Sequence, residues 1–178
     1  NFFIAADTVL KFLGKSPIKP LRPRALKKAE RWVLDHQDIN GGWGGIQPAM
    51  LNSVMSLHSL GYRDDHPVVA KGIQAIEDFL METGGHLFFQ PCVSPVWDTA
   101  WAIKALIDSG LPTDHPVVTK AANWIIDQQI FKPGDWQVKN PELEPGGWAF
   151  EFANDWYPDV DDTAVILFTL KRVTGLDE

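Results

Sequence analysis

One pentapeptide occurs twice in the chain. Asp65-His66-Pro67-Val68-Val69 returns as Asp114-His115-Pro116-Val117-Val118, 49 residues further on. Gly61 and Gly110 keep the same spacing, each closing the helical pattern before it. A third copy starts at Thr163-Ala164, matching Thr99-Ala100, and the sequence stops after Leu176-Asp177-Glu178, where the next such turn is due. A fixed spacing with two helical patterns per unit means stacked helical hairpins, because one hairpin alone cannot bury its apolar face.

Hydrophobic periodicity assigns the helices. Residues 5–12 are apolar on one face and are expected to stop at Gly14 and Pro17. Residues 20–36, 67–80 and 116–129 read as amphipathic helices, the first with Leu21, Leu26, Ala29, Trp32 and Val33 on one stripe. Residues 48–60, 95–106 and 162–173 read as more thoroughly apolar helices, with Ser94 expected to cap the second ahead of Pro95. Only 86–90 hints at a strand. The fold class is all-α. Buried helices alternating with half-exposed ones suit the inner and outer rings of an (α/α) barrel, with an open solenoid as the competing geometry.

Composition narrows the function. The 178 residues carry 23 acidic and 16 basic side chains, a net charge of −7, which argues against nucleic acid as a partner. A lone cysteine, Cys92, excludes an internal disulfide and a Cys-based zinc site, and suits a reducing compartment. No run is long and apolar enough to span a bilayer, and no signal peptide opens the chain. The first residue is Asn1 rather than Met, so a piece of something longer is expected. The unusual quantity is 8 Trp against 2 Tyr.

Part of that indole recurs with a pattern. Lys28, Gln37 and then Gly41-Gly42-Trp43 match Lys120, Gln129 and then Gly134-Asp135-Trp136, with nine residues from Lys to Gln in both. A glutamine just past a helix can reach the orphan backbone groups of a neighbouring helix end, and the glycine lets the Trp fold back over the amide.

The candidate chemistry lies further on. From Phe131 to Pro158 the chain has no clear periodicity and holds Trp136, Trp148, Phe150, Phe152, Trp156 and Tyr157. It delivers into Asp159-Val160-Asp161-Asp162-Thr163-Ala164, at the head of an apolar helix. One Asp suffices as a helix cap. Three crowded carboxylates repel, and in apolar surroundings at least one is expected to hold a proton. Glycoside hydrolysis wants two acids on opposite sides of a bond, and magnesium wants ionised carboxylates with a phosphate partner. Protonating an alkene wants a strong acid in a dry pocket whose aromatic faces stabilise a cation by about 0.5–2 kcal/mol each.

The segment 159–164 resembles the DxDD acid motif of squalene–hopene cyclases. The Lys…Gln…Gly-x-Trp units resemble that family's Gln–Trp repeats, with Ala29 and Ala121 where Gly is usual. Ser94-Pro95-Val96-Trp97-Asp98-Thr99 and Gly42-Trp43-Gly44-Gly45-Ile46-Gln47-Pro48 resemble further family segments, so the likeness covers essentially the whole chain. It implies two α/α barrels; the glycine pair Gly84-Gly85, ahead of the strand-like 86–90, is taken as the division, so that residues 1–84 end one barrel and 85–178 belong to the second. It implies protonation-initiated cyclisation of squalene to hopene or hopanol with no metal or organic cofactor. The full-length protein would sit on one membrane leaflet at the cytoplasmic face, as a homodimer.

By the same resemblance Asp161 is the proton donor, with Asp159 and Asp162 tuning it. Trp97 and Phe150 are cavity aromatics, and Asp98 is a carboxylate near the acid. Ile46 steers the substrate, while Gln47, Pro48 and Ser94 border the pocket near the site of final proton loss. The family's partner histidine is expected beyond residue 178, and His66 and His115, each before a proline, read as turn chemistry. The isolated chain is expected to be inactive. Residues 1–4 with Val9, Leu10, Phe12 and Leu13 suit either an inner helix or a membrane-contacting surface. The rivals are a class II diterpene cyclase, which shares DxDD but takes a diphosphate, and a helical-repeat binding scaffold without chemistry. Oxidosqualene cyclases fit less well because their acid motif differs, and an α/α prenyltransferase subunit would want zinc ligands.

Overall fold

The repeated turn is a pair of helix caps. Nδ1 of His66 accepts a hydrogen bond from the Val68 amide at 3.3 Å, and Nδ1 of His115 accepts one from the Val117 amide at 3.2 Å. The proline behind each takes the first helical position, where an N–H would have no helical partner and φ is already suitable. At the far ends of the preceding helices Gly61 and Gly110 adopt φ of +96° and +100°, a left-handed backbone that ends a helix at little cost only for glycine.

The structure, a computed structural model, describes residues 2–15 and 19–176. Asn1, the Pro17 helix stop and the Asp177-Glu178 end of the third repeat lie outside the described residues. The chain divides into two units, residues 1–35 and 36–178. In the first, α1 (Phe2–Lys15) and α2 (Arg22–Asp35) bury no side chain. Helix α1 runs past the expected 5–12 at both ends and contains Gly14. A single glycine costs a helix about 1 kcal/mol and does not by itself break it.

The second unit runs α3 (Gln47–Ser59), α4 (Pro67–Glu77), β1 (Leu80–Thr83), β2 (His86–Phe89), α5 (Pro95–Asp108), α6 (Pro116–Asp127), a 3-10 turn (Asp135–Val138) and α7 (Val160–Leu170). Helix α3 packs on α4, and α5 packs on both α6 and α7. The amphipathic α4 buries Val69, Gly72 and Ala75, and α6 buries Val118, Ala122 and Ile125. The core joins that α6 face to Val96, Ala100 and Ile103 of α5, Ile166 of α7, Val173 and Trp148. The Trp148 indole nitrogen donates to the Ile125 carbonyl at 2.7 Å, so a bulky ring is buried with its polar atom satisfied.

Within the second unit two helices, α4 and α7, depart most from the periodicity. Helix α4 stops at Glu77, short of residue 80, because Gly84 and Gly85, both with positive φ, reverse the chain and pair Leu80 with Phe89. The hint of a strand at 86–90 is thus one arm of a hairpin, whose other arm takes Leu80 from the expected helix and Met81, Glu82 and Thr83 from the stretch after it. Helix α7 starts at Val160, ahead of 162, because Asp159 caps it by accepting from the Asp162 amide at 2.8 Å, and it ends at Leu170 rather than 173.

The apolar helices keep apolar side chains outside this core. Met55 of α3, Trp101 and Leu106 of α5, and Leu167 and Phe168 of α7 are all exposed.

Candidate active site

The long stretch 131–158 is fastened at both ends. Near its close Trp148 pairs with Asp159 across an antiparallel bridge, the Asp159 amide donating to the Trp148 carbonyl at 3.0 Å. The Trp148 amide in turn donates to Thr163 Oγ1 at 3.0 Å. Gly147 sits where any side chain would meet that hydroxyl at 2.9 Å, which accounts for a glycine there. These contacts hold the Gly147–Phe150 run against the first turn of α7, which carries the three carboxylates.

The carboxylates have different surroundings. Asp162 is 2% exposed, and one of its oxygens, Oδ1, has no hydrogen-bond partner. Burial first, then a hydrogen bond to Asp159 and the negative charges of Asp159 and Asp161, push its pKa up to about 8. Asp162 therefore holds a proton at neutral pH. Asp159 is half-buried and occupied as the helix cap. Asp161 is exposed, on the same helical stripe as the exposed Ala164 and Phe168, three and seven residues on. The Asp161 carboxyl group thus stands at the head of a bare apolar stripe.

The remaining candidates lie on two loops that pair with each other. Ile46 bridges Cys92, the Gln47 amide donates to the Pro91 carbonyl at 2.9 Å, and the Val93 amide donates to the Gly45 carbonyl at 2.9 Å. This joins the head of α3, with Ile46, Gln47 and Pro48, to the head of α5, with Ser94, Trp97 and Asp98. Ser94 occupies the N-cap position without capping through its side chain; its hydroxyl donates to Asp98 Oδ2 at 2.8 Å instead. That preference for a carboxylate follows from the strength of charge-assisted bonds. Trp97 is half-buried and meets Trp101 edge to face at 5.7 Å. Phe150 is half-buried between the buried Ala149 and Glu151.

The glutamines and tryptophans of the spaced repeat lie in other surroundings. Gln37 Nε2 donates to the Gly41 and Val68 carbonyls, both at 2.9 Å. Val68 is in the first turn of α4, so its carbonyl is not one of a helix's orphan groups. Trp43 is buried against Gly72, where a Cβ would meet its ring at 2.8 Å. Gln129 Nε2 donates to the Gly146 carbonyl at 2.6 Å, and Trp136 lies against Gly134 with its indole nitrogen unpartnered.

A buried polar cluster had no signature in the sequence. Asp38 is 6% exposed, accepts from the Gly44 amide at 2.6 Å, and has its pKa pushed up to about 7, chiefly by burial. Glu151 is 2% exposed and also raised by burial. His36 Nε2 lies 3.0 Å from Asp135 Oδ1, and its ring meets that of Trp156 at a tilt of 39° with centroids 4.6 Å apart. Burial, with Asp135 beside it, pushes the Tyr157 hydroxyl up to about 12. His36 and Asp135 are 99 residues apart in sequence, and no local spacing announces the cluster. Among the described residues no group of three or more His, Cys, Asp or Glu is arranged to hold a metal ion, and no helix is long and apolar enough to cross a membrane.

Paired helices, with three carboxylates at the head of an apolar helix, define a protein built of repeated helical hairpins. The family described as squalene-hopene cyclase N-terminal domain matches residues 1–85, and the family described as squalene-hopene cyclase C-terminal domain matches residues 93–178. The chain belongs to the squalene–hopene cyclase family. It is 44% identical to the squalene–hopene cyclase of Alicyclobacillus acidocaldarius over 99% of this chain and 28% of that protein. Identity to the squalene–hopene cyclase of Zymomonas mobilis is 37%, over 100% of this chain and 28% of that protein. Dammaradiene synthase of Dryopteris crassirhizoma is 41% identical over 96% of this chain and 25% of that protein. The chain thus spans about a quarter of the length of the curated relatives it matches.

Proposed function

We propose that this chain is a stretch of a squalene–hopene cyclase in which Asp161 donates the proton that starts cationic polycyclisation of squalene. The observation that carries the reading is the placement of Asp161: it heads an exposed apolar stripe of α7, next to a buried Asp162 that keeps its own proton. The Asp161 proton forms a C–H bond at a terminal alkene and leaves a carboxylate behind. The resulting cation moves through successive ring closures, with Trp97 and Phe150 stabilising it through their ring faces. Loss of a proton or capture of water near Gln47, Pro48 and Ser94 ends the cascade, while Ile46 shapes the wall and Asp98 lies near the acid.

The same reading takes α3, α5 and α7 as inner helices of α/α barrels, residues 1–84 closing one barrel and 85–178 belonging to the next. Gln37 with Trp43 and Gln129 with Trp136 then act as Gln–Trp clamps between units. In the full-length protein the exposed apolar side chains of α1, among them Phe2, Phe3, Leu10 and Phe12, suit contact with a membrane leaflet at the cytoplasmic face. The homodimer belongs to the same proposal.

The test is Asp161→Asn in the full-length protein carrying this stretch, with squalene as substrate. Asn keeps the volume and removes the acid. Pentacyclic product should fall by about 10²–10⁴-fold, as for loss of a general acid. Retained turnover would remove Asp161 from the role.

A further inference from the structure

The chain on both sides of Phe150 is pinned. Upstream, Trp148 is bound to Asp159 and Thr163 of the acid segment. Downstream, Glu151 is almost fully buried and both of its oxygens are engaged: Oε1 accepts from Asn40 Nδ2 at 3.3 Å and Oε2 from the Ala153 amide at 2.9 Å. Its Cγ and Cβ fill the place a side chain on Gly45 would take, at 2.7 and 3.0 Å, so Gly45 and Glu151 approach as closely as a missing Cβ permits. Gly45 precedes Ile46 and carries the carbonyl that fastens the loop ahead of Ser94. Asn40 is itself oriented, because its Oδ1 accepts from the Gly42 amide at 3.0 Å.

A buried carboxylate is a costly way to fill space, since desolvation disfavours its charge. An apolar residue of the same size would pack without that cost but would bind neither Asn40 nor the Ala153 amide. Beside Glu151 lies a cleft of about 70 Å³ bordered by Met50, Phe79 and Val93. The wall therefore has room to shift once the tether is cut.

We propose that Glu151 is a positioning residue: through Asn40 and Gly45 it sets the distance between Phe150 and the Ile46–Pro48 wall, and so decides how far cyclisation proceeds before the cation is quenched. This rests on the cyclase reading above. Glu151 touches neither substrate nor acid; it acts through Phe150 and Ile46. A cation held by an aromatic face loses that support steeply when the face moves. A looser wall should release partially cyclised products without impairing the first protonation.

The experiment uses the full-length protein carrying this stretch, with squalene as substrate and the ratio of partially cyclised to pentacyclic products as readout. In Glu151→Gln the new amide N–H₂ faces the Asn40 N–H₂, two donors without an acceptor, in a side chain of unchanged size. The ratio should rise several-fold while total squalene consumption stays close to wild type. Asn40→Asp combined with Glu151→Gln restores an acceptor opposite a donor, and Asp can still accept from the Gly42 amide, so the ratio should return toward wild type. If Glu151→Gln is not recovered folded, Asn40→Ala cuts the same contact from its exposed end and should raise the ratio equally. An unchanged ratio in the single variants, or no recovery in the double variant, overturns the assignment while leaving the cyclase reading standing. A wild-type protein that forms no polycycle from squalene overturns both.

Discussion

Asp162 shows what burial does to one side chain in a triplet that sequence alone treats as three equivalent acids. Its folded pKa of about 8 stands well above the ordinary 3.8, so between those values the folded chain binds more protons than the unfolded one. Its contribution to stability is therefore complete at acidic pH and is lost as pH rises through the folded value. Asp162→Asn mimics the protonated acid, including its hydrogen bond to Asp159, and removes the titration. The melting temperature of wild type relative to Asp162→Asn should fall steadily from about pH 4 to about pH 8, and a gap that stays flat would mean that Asp162 is ionised in the folded chain. Asp38, raised to about 7 by burial, shifts the wild type in the same direction and is common to both proteins. Crowding of the three acids was legible in the sequence. Which of them would be buried was not, because that depends on the phase of α7 against α5, fixed by contacts such as Thr169 Oγ1 with the Ala100 carbonyl.

Glycines separate two kinds of helix instruction. Gly61 and Gly110 end α3 and α5, and a Cβ built on either meets nothing within 4 Å, so only the backbone angle demands glycine. Gly72 lies inside α4 with ordinary angles, yet a Cβ there would come within 2.8 Å of Trp43 and 2.9 Å of Val54. Replacing Gly110 by Ala should cost about 1–2 kcal/mol of backbone strain. Replacing Gly72 by Ala gains helix propensity but overpacks a filled contact, a net loss of about 1–3 kcal/mol that Trp43→Leu should partly relieve. Denaturant midpoints of the three variants check both statements. The first kind of glycine was readable, because Gly61 and Gly110 recur with the Asp-His-Pro turn. The second was invisible: nothing local to Lys71-Gly72 shows that an indole 29 residues upstream arrives there. The helix order and most ends were legible for the same reason as the turns, whereas the β1 arm of the hairpin was not, because Leu80 continues the apolar pattern of α4 and Met81-Glu82-Thr83 is too short to announce a strand. The candidate site divides in the same way. The DxDD run and the heads of α3 and α5 were visible as motifs; the bridges that join them, and Asp38, Glu151 and His36 behind them, depend on pairing between distant segments.

At the scale of the chain the unusual property is the distribution of apolar surface. The second unit has a closed core of its own around Val96, Ile103, Ile125, Trp148 and Ile166. Outside that core Met55, Trp101, Leu106, Leu167 and Phe168 stand exposed on the three apolar helices. An apolar face of that kind is stable in water only when something covers it, and the cyclase reading assigns it to a cavity completed by the rest of a protein about four times as long. Cation chemistry depends on the cover as much as on the acid, because water reaching the first carbocation quenches it before a second ring can form. The chain of residues 1–178 by itself should therefore retain helical circular dichroism, bind a hydrophobic dye strongly, and form no polycycle from squalene, while the full-length protein cyclises squalene and binds far less dye per molecule. Leu167→Ser with Phe168→Ser should lower dye binding by the isolated chain without lowering its melting temperature, since neither side chain belongs to the core. A drop in melting temperature equal to that of a core substitution would instead place these side chains in the interior of the unit and remove the bare stripe on which Asp161 stands.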